Sequence, residues 1–184
     1  MAFEDLKIIL WPDPRLRKIS AEVDKFDPNL RDLSLRMLEL MRESKGVGLA
    51  APQVGLNIRM FVMNPTGQPG DDRVYVNPTL TEATAEEAGE EGCLSLPQIN
   101  ADILRHRTLH IEAKNVEGQP ISETETGYIA RIWQHEFDHL NGTLILDRMG
   151  EQARMSHRKT LRELEERYEL EHPKKLVKTT KTKR

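Results

Sequence analysis

Residues Gln134-His135-Glu136-Phe137-Asp138-His139 contain the pattern H-E-x-x-H. In a helix, His135 and His139 project from the same face one turn apart, so both imidazoles can reach a single metal ion. Glu136 is then placed to take a proton from a water activated by that ion and to hand it on. The pattern alone is short enough to recur by chance, but its surroundings strengthen it. At about 100° per residue, Ile129, Ile132, Trp133, Phe137 and Leu140 share one arc, with Glu136 inside it and the two histidines at its edge. A carboxylate among such side chains is costly unless a cation or a hydrogen-bond network compensates it. A pair of core histidines beside a salt-bridged glutamate is the plainer reading; a metal explains the placement of Glu136 better.

Two imidazoles leave a transition-metal site incomplete, and two third ligands present themselves. A zinc peptidase that cuts internal peptide bonds would take a downstream glutamate, here Glu163 or Glu165. The other candidate is Cys93, the single cysteine, in Glu91-Gly92-Cys93-Leu94-Ser95-Leu96-Pro97. A thiolate is a soft, strong ligand whose pKa falls beside a cation. A lone intracellular cysteine is most often a small buried hydrophobe, but the flanking Gly92 and Pro97 mark a tight, terminated segment. Glu163 and Glu165 lie in a run of alternating charges that reads as a solvated helix face. The cysteine is favoured.

A third segment, Gly46-Val47-Gly48-Leu49-Ala50-Ala51-Pro52-Gln53-Val54-Gly55, lets the backbone pass close to a ligand. A bound peptide could pair with Val47 and Gly48 as an added strand. Gln53 could aim its amide N–H at a carbonyl oxygen on which negative charge develops. The loop lacks the G-x-x-x-x-G-K pattern of a phosphate cradle.

The elements that must carry these groups are legible in outline. Asp27-Pro28 reads as an N-cap followed by proline at the first helical position, and Leu30, Leu33, Met37, Leu38 and Met41 recur at helical spacing until Gly46. Period-two segments follow at residues 59–63, 73–76, 79–84 and 108–113. The acidic run Glu82, Glu86, Glu87, Glu90 and Glu91 reads as a mostly solvated loop leading into Cys93. A second helix is expected over 126–141, ending at Gly142. A third, over 151–171, carries a thin stripe of Leu161, Leu164 and Tyr168 and stops before Pro173. This order predicts an α+β fold of one domain, in which antiparallel strands wrap a central metal-binding helix and an additional helix follows. Residues 1–150 would be catalytic, 151–172 a charged helix and 173–184 a basic, disordered tail.

With 184 residues the chain can bury a full core without disulfide staples, and one cysteine could form no internal bridge. A reduced compartment is the default. No apolar run reaches the ~18–20 residues that cross a bilayer, and the start, Met1-Ala2-Phe3-Glu4-Asp5, is unlike a signal peptide. A cytoplasmic setting is expected, with an organelle matrix as the other option. The net charge of −3 conceals an asymmetry: residues 173–184 carry +6, which leaves −9 on the rest. The body would repel nucleic acid, whereas the tail could touch RNA or an acidic partner.

Together the three segments resemble the signature motifs of the peptide deformylases: residues 46–53, 91–95 and 134–139, in the same order. The opening Ile9-Leu10-Trp11-Pro12-Asp13-Pro14-Arg15-Leu16-Arg17 is similar to that family's N-terminal signature. The resemblance covers roughly residues 6–150. It implies removal of the N-formyl group from the starting methionine of new polypeptides, with release of formate. By motif position, Cys93, His135 and His139 would hold Fe2+, with Zn2+, Co2+ or Ni2+ as substitutes, and Glu136 would be the general acid/base. Gln53 and the backbone N–H of Leu94 would stabilise the oxyanion. Val47, Gly48, Glu91, Tyr128 and Ile132 would contact the peptide, with the methionine side chain in a pocket near Val47, Tyr128, Ile132 and His135. Its partners would be N-formyl-methionyl nascent peptides and, through the basic tail, the ribosome; no membrane is implied, and a monomer is expected. Gln98-Ile99-Asn100 lacks a basic residue that some members carry there, and the charged third helix and tail continue past the resemblance.

Overall fold

The computed structural model describes residues 3–173; all but the first residue of the basic segment 173–184 lies outside the described residues. Asp27 caps the first helix, α1 (Pro28–Glu43), its carboxylate accepting the Leu30 N–H. Pro28 stands where no intrahelical donor is needed. Leu30, Leu33, Met37, Leu38 and Met41 are buried along one face, as their spacing predicts. The helix stops ahead of Gly46. Lys45, and not a glycine, takes the left-handed backbone with φ 57°, and the Gly46 N–H closes onto the carbonyl of Met41.

Seven strands follow: β1 (Gly48–Ala50), β2 (Met60–Met63), β3 (Arg73–Thr81), β4 (Glu86–Cys93), β5 (Leu96–His106), β6 (Thr108–Lys114) and β7 (Pro120–Thr126). Five make an antiparallel sheet in the order β1-β2-β3-β6-β7, and β4 and β5 form a separate antiparallel pair. The two segments expected at 73–76 and 79–84 are one strand, β3, whose register with β6 shifts between Val76 and Thr79. There Asn77 adopts φ 51° and its side chain bonds both the N–H and the carbonyl of Val23.

Apart from Glu82, which lies between β3 and β4, the acidic run is not a loop. Glu86, Glu87, Glu90 and Glu91 lie in β4, paired with β5 in the register Glu91↔Ala101. Glu86, Glu87 and Glu90 are exposed, so the carboxylates are solvated while the backbone is held by its partner strand. In β5, Ile99, Ala101, Ile103 and Arg105 alternate inward.

Helix α2 (Tyr128–Leu140) carries the H-E-x-x-H residues and packs against β1, β2, β5 and β7. One cluster joins its Ala130, Ile132, Trp133 and Leu140 to Phe61, Tyr75 and Ile111 of the sheet. The third helix is broken in two. After the short α3 (Ile145–Arg148), α4 (Glu151–Ser156) ends at His157, and α5 (Arg158–Glu171) begins there. His157 Nε2 lies 2.7 Å from the Asn100 carbonyl of β5, a tertiary contact that fixes the break. Leu164 of α5 is buried beside Leu16, Leu96, Ile99 and Ile103, with Cys93 packed against the same cluster. The α+β fold is as the element order predicts, a single domain with antiparallel strands around a central helix.

A candidate metal centre under the central helix

Three stretches far apart in the chain meet beside α2. Cys93 closes β4, where the pairing with β5 becomes irregular after Gly92. Its Sγ lies 3.4 Å from His139 Nε2, and His139 Nε2 lies 3.2 Å from His135 Nε2. The candidate ligand atoms of Cys93, His135 and His139 all fall within 4.8 Å of one another, an arrangement that could hold one ion. Glu163 does not join them: it pairs with Lys159 on α5 at 3.7 Å, and Glu165 is exposed on the same helix.

The electrostatics suit a cation. Burial alone would lower the pKa of His135, but the thiol of Cys93 and the carboxylate of Glu91 outweigh it and draw that pKa well above the usual value. Neighbours that favour a proton on an imidazole also favour a metal ion there. Burial and the charge of His135 hold His139 well below its usual value, hence neutral, the state in which imidazole ligates. Glu91 Oε2 lies 3.0 Å from His135 Nδ1, which orients the ring and leaves Nε2 for the cluster.

Glu136 is 3% exposed, and its Oε2 is buried without a hydrogen-bond partner. Burial pushes its carboxyl up to about 7, with the charge of His135 opposing and that of Glu91 adding to the rise. A buried, unpartnered carboxylate next to this trio is the compensation problem posed by the helical arc, and a cation answers it.

Gln53 lies in a short 3-10 turn (Ala51–Val54) after β1. Its Oε1 accepts the Ala50 N–H at 2.8 Å, so its Nε2 faces Cys93 Sγ at 3.6 Å and Ser95 Oγ at 3.4 Å. The Leu94 N–H follows Cys93 in the turn between β4 and β5. The extended N-terminal segment ties the two loops together: Ile9 N–H donates to the Gln53 carbonyl and Trp11 N–H to that of Ser95.

A cavity of about 390 Å³ opens beside these groups, walled by Val47, Gly48, Leu94, Tyr128, Ile132 and His135. Ile132 is buried, Val47 is at the rim and Tyr128 is exposed at the mouth. β1, which carries Gly48, is an edge strand of the sheet. Glu91 also borders the cavity, but its carboxylate is taken up by Arg105 at 2.9 Å, Arg131 at 2.8 Å and His135. Arg105 and His135 hold its pKa down at about 2 against the effect of burial. Glu91 thus lines the cavity while its carboxylate is engaged by three side chains of the protein.

The two arginines belong to a group of residues that motif reading missed. Arg105 is buried and bridges Glu91 to Asp138, 2.6 Å from Asp138 Oδ2. Arg131 reaches from α2 to Glu91 and to the carbonyls of Glu87, Gly89 and Ile103. A β-carbon on Gly89 would meet that guanidinium at 2.9 Å, so a larger residue there would displace Arg131. The available signal was an arginine on the inward phase of the β5 alternation.

The sequence profile of the family described as polypeptide deformylase matches residues 5–155. The chain belongs to that family. "Peptide deformylase 1B, chloroplastic/mitochondrial" of Arabidopsis thaliana is 42% identical over 167 residues, covering 89% of this chain and 61% of that protein. The chain thus spans about three fifths of the length of the plant relatives it matches. "Peptide deformylase" of Thermotoga maritima is 44% identical over 159 residues, covering 86% of this chain and 95% of the relative. A plant peptide deformylase PDF1B crystal structure superposes with a TM-score of 0.88 at 41% identity, over 92% of this chain and 94% of that one. No helix among the described residues of this deformylase-family chain is long and apolar enough to cross a membrane.

Proposed function

We propose that this chain hydrolyses the N-formyl group from the N-terminal methionine of newly made polypeptides and releases formate. The observation that carries this reading is the convergence of Cys93, His135 and His139 with the buried, unpartnered carboxylate of Glu136. Cys93, His135 and His139 are the proposed ligands. The ion they hold would supply Lewis acidity and lower the pKa of water at the site toward about 7. Fe2+ is the proposed native ion, and Zn2+, Co2+ and Ni2+ suit the same soft, nitrogen-rich donor set.

Glu136 accepts a proton from the attacking water and delivers it to the departing amine. Gln53 Nε2 and the Leu94 N–H donate to the formyl oxygen as charge builds on it; each such donor is worth about 3–4 kcal/mol. The peptide backbone pairs along Val47 and Gly48, and the methionine side chain enters the cavity by Ile132 and Tyr128. A formyl group is scarcely larger than a hydrogen, so a close-walled site admits it and excludes acetyl.

The decisive assay measures formate release from formyl-Met-Ala-Ser, with metal content determined on the same anaerobically prepared sample. Glu136→Ala should keep the metal and lose most turnover, whereas Cys93→Ala should lose metal. Absence of formate release by both the iron and the zinc forms would refute the assignment. The proposed setting is the cytoplasm or an organelle matrix, where nascent chains start with formyl-methionine, and the proposed form is a monomer. Residues 1–150 would form the catalytic part and 151–172 a charged helical appendage. The six cations of residues 173–184 are proposed to touch ribosomal RNA. Deleting that segment should weaken co-sedimentation with ribosomes at low salt; unchanged co-sedimentation would remove it.

A further inference from the structure

A chain of charged contacts runs from the surface to a proposed metal ligand, and its outermost member belongs to none of the three motifs. Arg148, the last residue of α3, grips Asp138 with two donors, Nε to Oδ2 and Nη2 to Oδ1. Asp138 also accepts from Arg105, and Arg105 turns its other edge to Glu91 with two contacts of 2.9 Å. Glu91 meets His135 Nδ1. The side chains of Glu91, Arg105 and Asp138 are at most 9% exposed, while that of Arg148 is 43% exposed.

We propose that Arg148 is a positioning residue for the metal site, holding Asp138 so that Arg105 stays committed to Glu91 and Glu91 to His135. Asp138 lies one residue before His139 and three after His135 on α2, so its anchorage reaches both histidines. Without Arg148, Arg105 is the sole cation on a buried Asp138. A guanidinium shared by two buried carboxylates then shifts toward the one that has lost its partner, loosening the fork on Glu91. His135 in turn loses the acceptor that sets its orientation and basicity; changes of this kind cost about 10–100-fold in metal affinity. Lysine at 148 would retain the charge without the planar two-donor grip. The inference rests on Cys93, His135 and His139 binding a metal.

The test uses the full chain loaded with cobalt(II), comparing the parent with Arg148→Ala and Arg148→Lys. Three quantities are read: the rate of cobalt release to a chromophoric chelator, the visible cobalt spectrum, and the thermal midpoint of the metal-free protein. Arg148→Ala should release cobalt about tenfold faster or more, with a shifted ligand-field band, and Arg148→Lys should fall between it and the parent. A parental release rate and spectrum in Arg148→Ala, with only the midpoint lowered, would make Arg148 a structural residue and overturn the proposal. If the alanine variant is not recovered folded, the lysine variant decides alone: faster release supports the proposal and parental release overturns it. A parent that takes up no cobalt sinks the metal site itself, and with it this inference.

Discussion

Glu136 Oε1 occupies the space into which a side chain at Gly48 would project. The glycine of the edge strand and the glutamate of α2 are therefore fitted to each other: the strand passes this close to the proposed general base only without a β-carbon. Gly48→Ala should push the carboxylate aside while leaving Cys93, His135 and His139 in place. A displacement of about 1 Å at a reacting group costs on the order of 100-fold in rate. The expected result is that loss in kcat with unchanged metal content; normal turnover would show that the position of Glu136 is not critical.

The elevated pKa of Glu136 makes a second prediction, on stability. Its carboxyl holds a proton up to about 7 in the fold and to 4.5 when unperturbed, with burial the main cause. Between those values the unfolded chain binds fewer protons than the folded one, so stability falls as pH rises across that window. In chelator-treated protein the group should contribute a loss of about 3 kcal/mol between pH 4.5 and 7. Glu136→Gln should flatten that part of the profile and be more stable than the parent at pH 8 in urea unfolding. Adding zinc should reduce the difference, since a nearby dication stabilises the carboxylate.

The site was more legible than the frame around it. H-E-x-x-H and its apolar arc located α2, and Asp27-Pro28 with the spacing of Leu30 to Met41 located α1, because capping and helical period are local signals. The β4–β5 pair was hidden by its own composition. The glutamates of β4 point to solvent, and the backbone pairing that makes them a strand comes from β5, downstream in the chain. β5 does alternate, but Arg105 stands where the pattern calls for an apolar side chain and Leu104 faces outward, 54% exposed. Only the fold shows that Arg105 lies between Glu91 and Asp138. β7 offers only Ile121 to the core, since most of its residues are exposed and its backbone pairs with β6.

That buried arginine carries a third prediction. Arg105 is 3% exposed and neutralises two carboxylates that are themselves buried. Removing one partner of such a group leaves uncompensated charge and typically costs about 3–5 kcal/mol. Arg105→Met should lower the unfolding free energy by that amount, and protonating the carboxylates left with fewer partners should restore part of it as pH falls. Chemical unfolding at pH 7.5 and pH 5.5 measures both; a loss that does not shrink at the lower pH would trace the effect to packing.

The last prediction separates support from chemistry. Leu164 of α5 is 8% exposed and shares a cluster with Leu96 and Ile99 of β5, against which Cys93 also packs. Truncating a buried leucine costs about 2–5 kcal/mol through lost burial and the cavity left behind. Leu164→Ala should therefore unfold earlier in urea. Leu164 does not line the cavity, so kcat measured well below the midpoint should stay near the parental value. Metal content is the discriminating readout: if α5 only covers the back of β5, it is unchanged, whereas a fall in bound metal would mean that the helix also fixes the position of the Cys93 thiol.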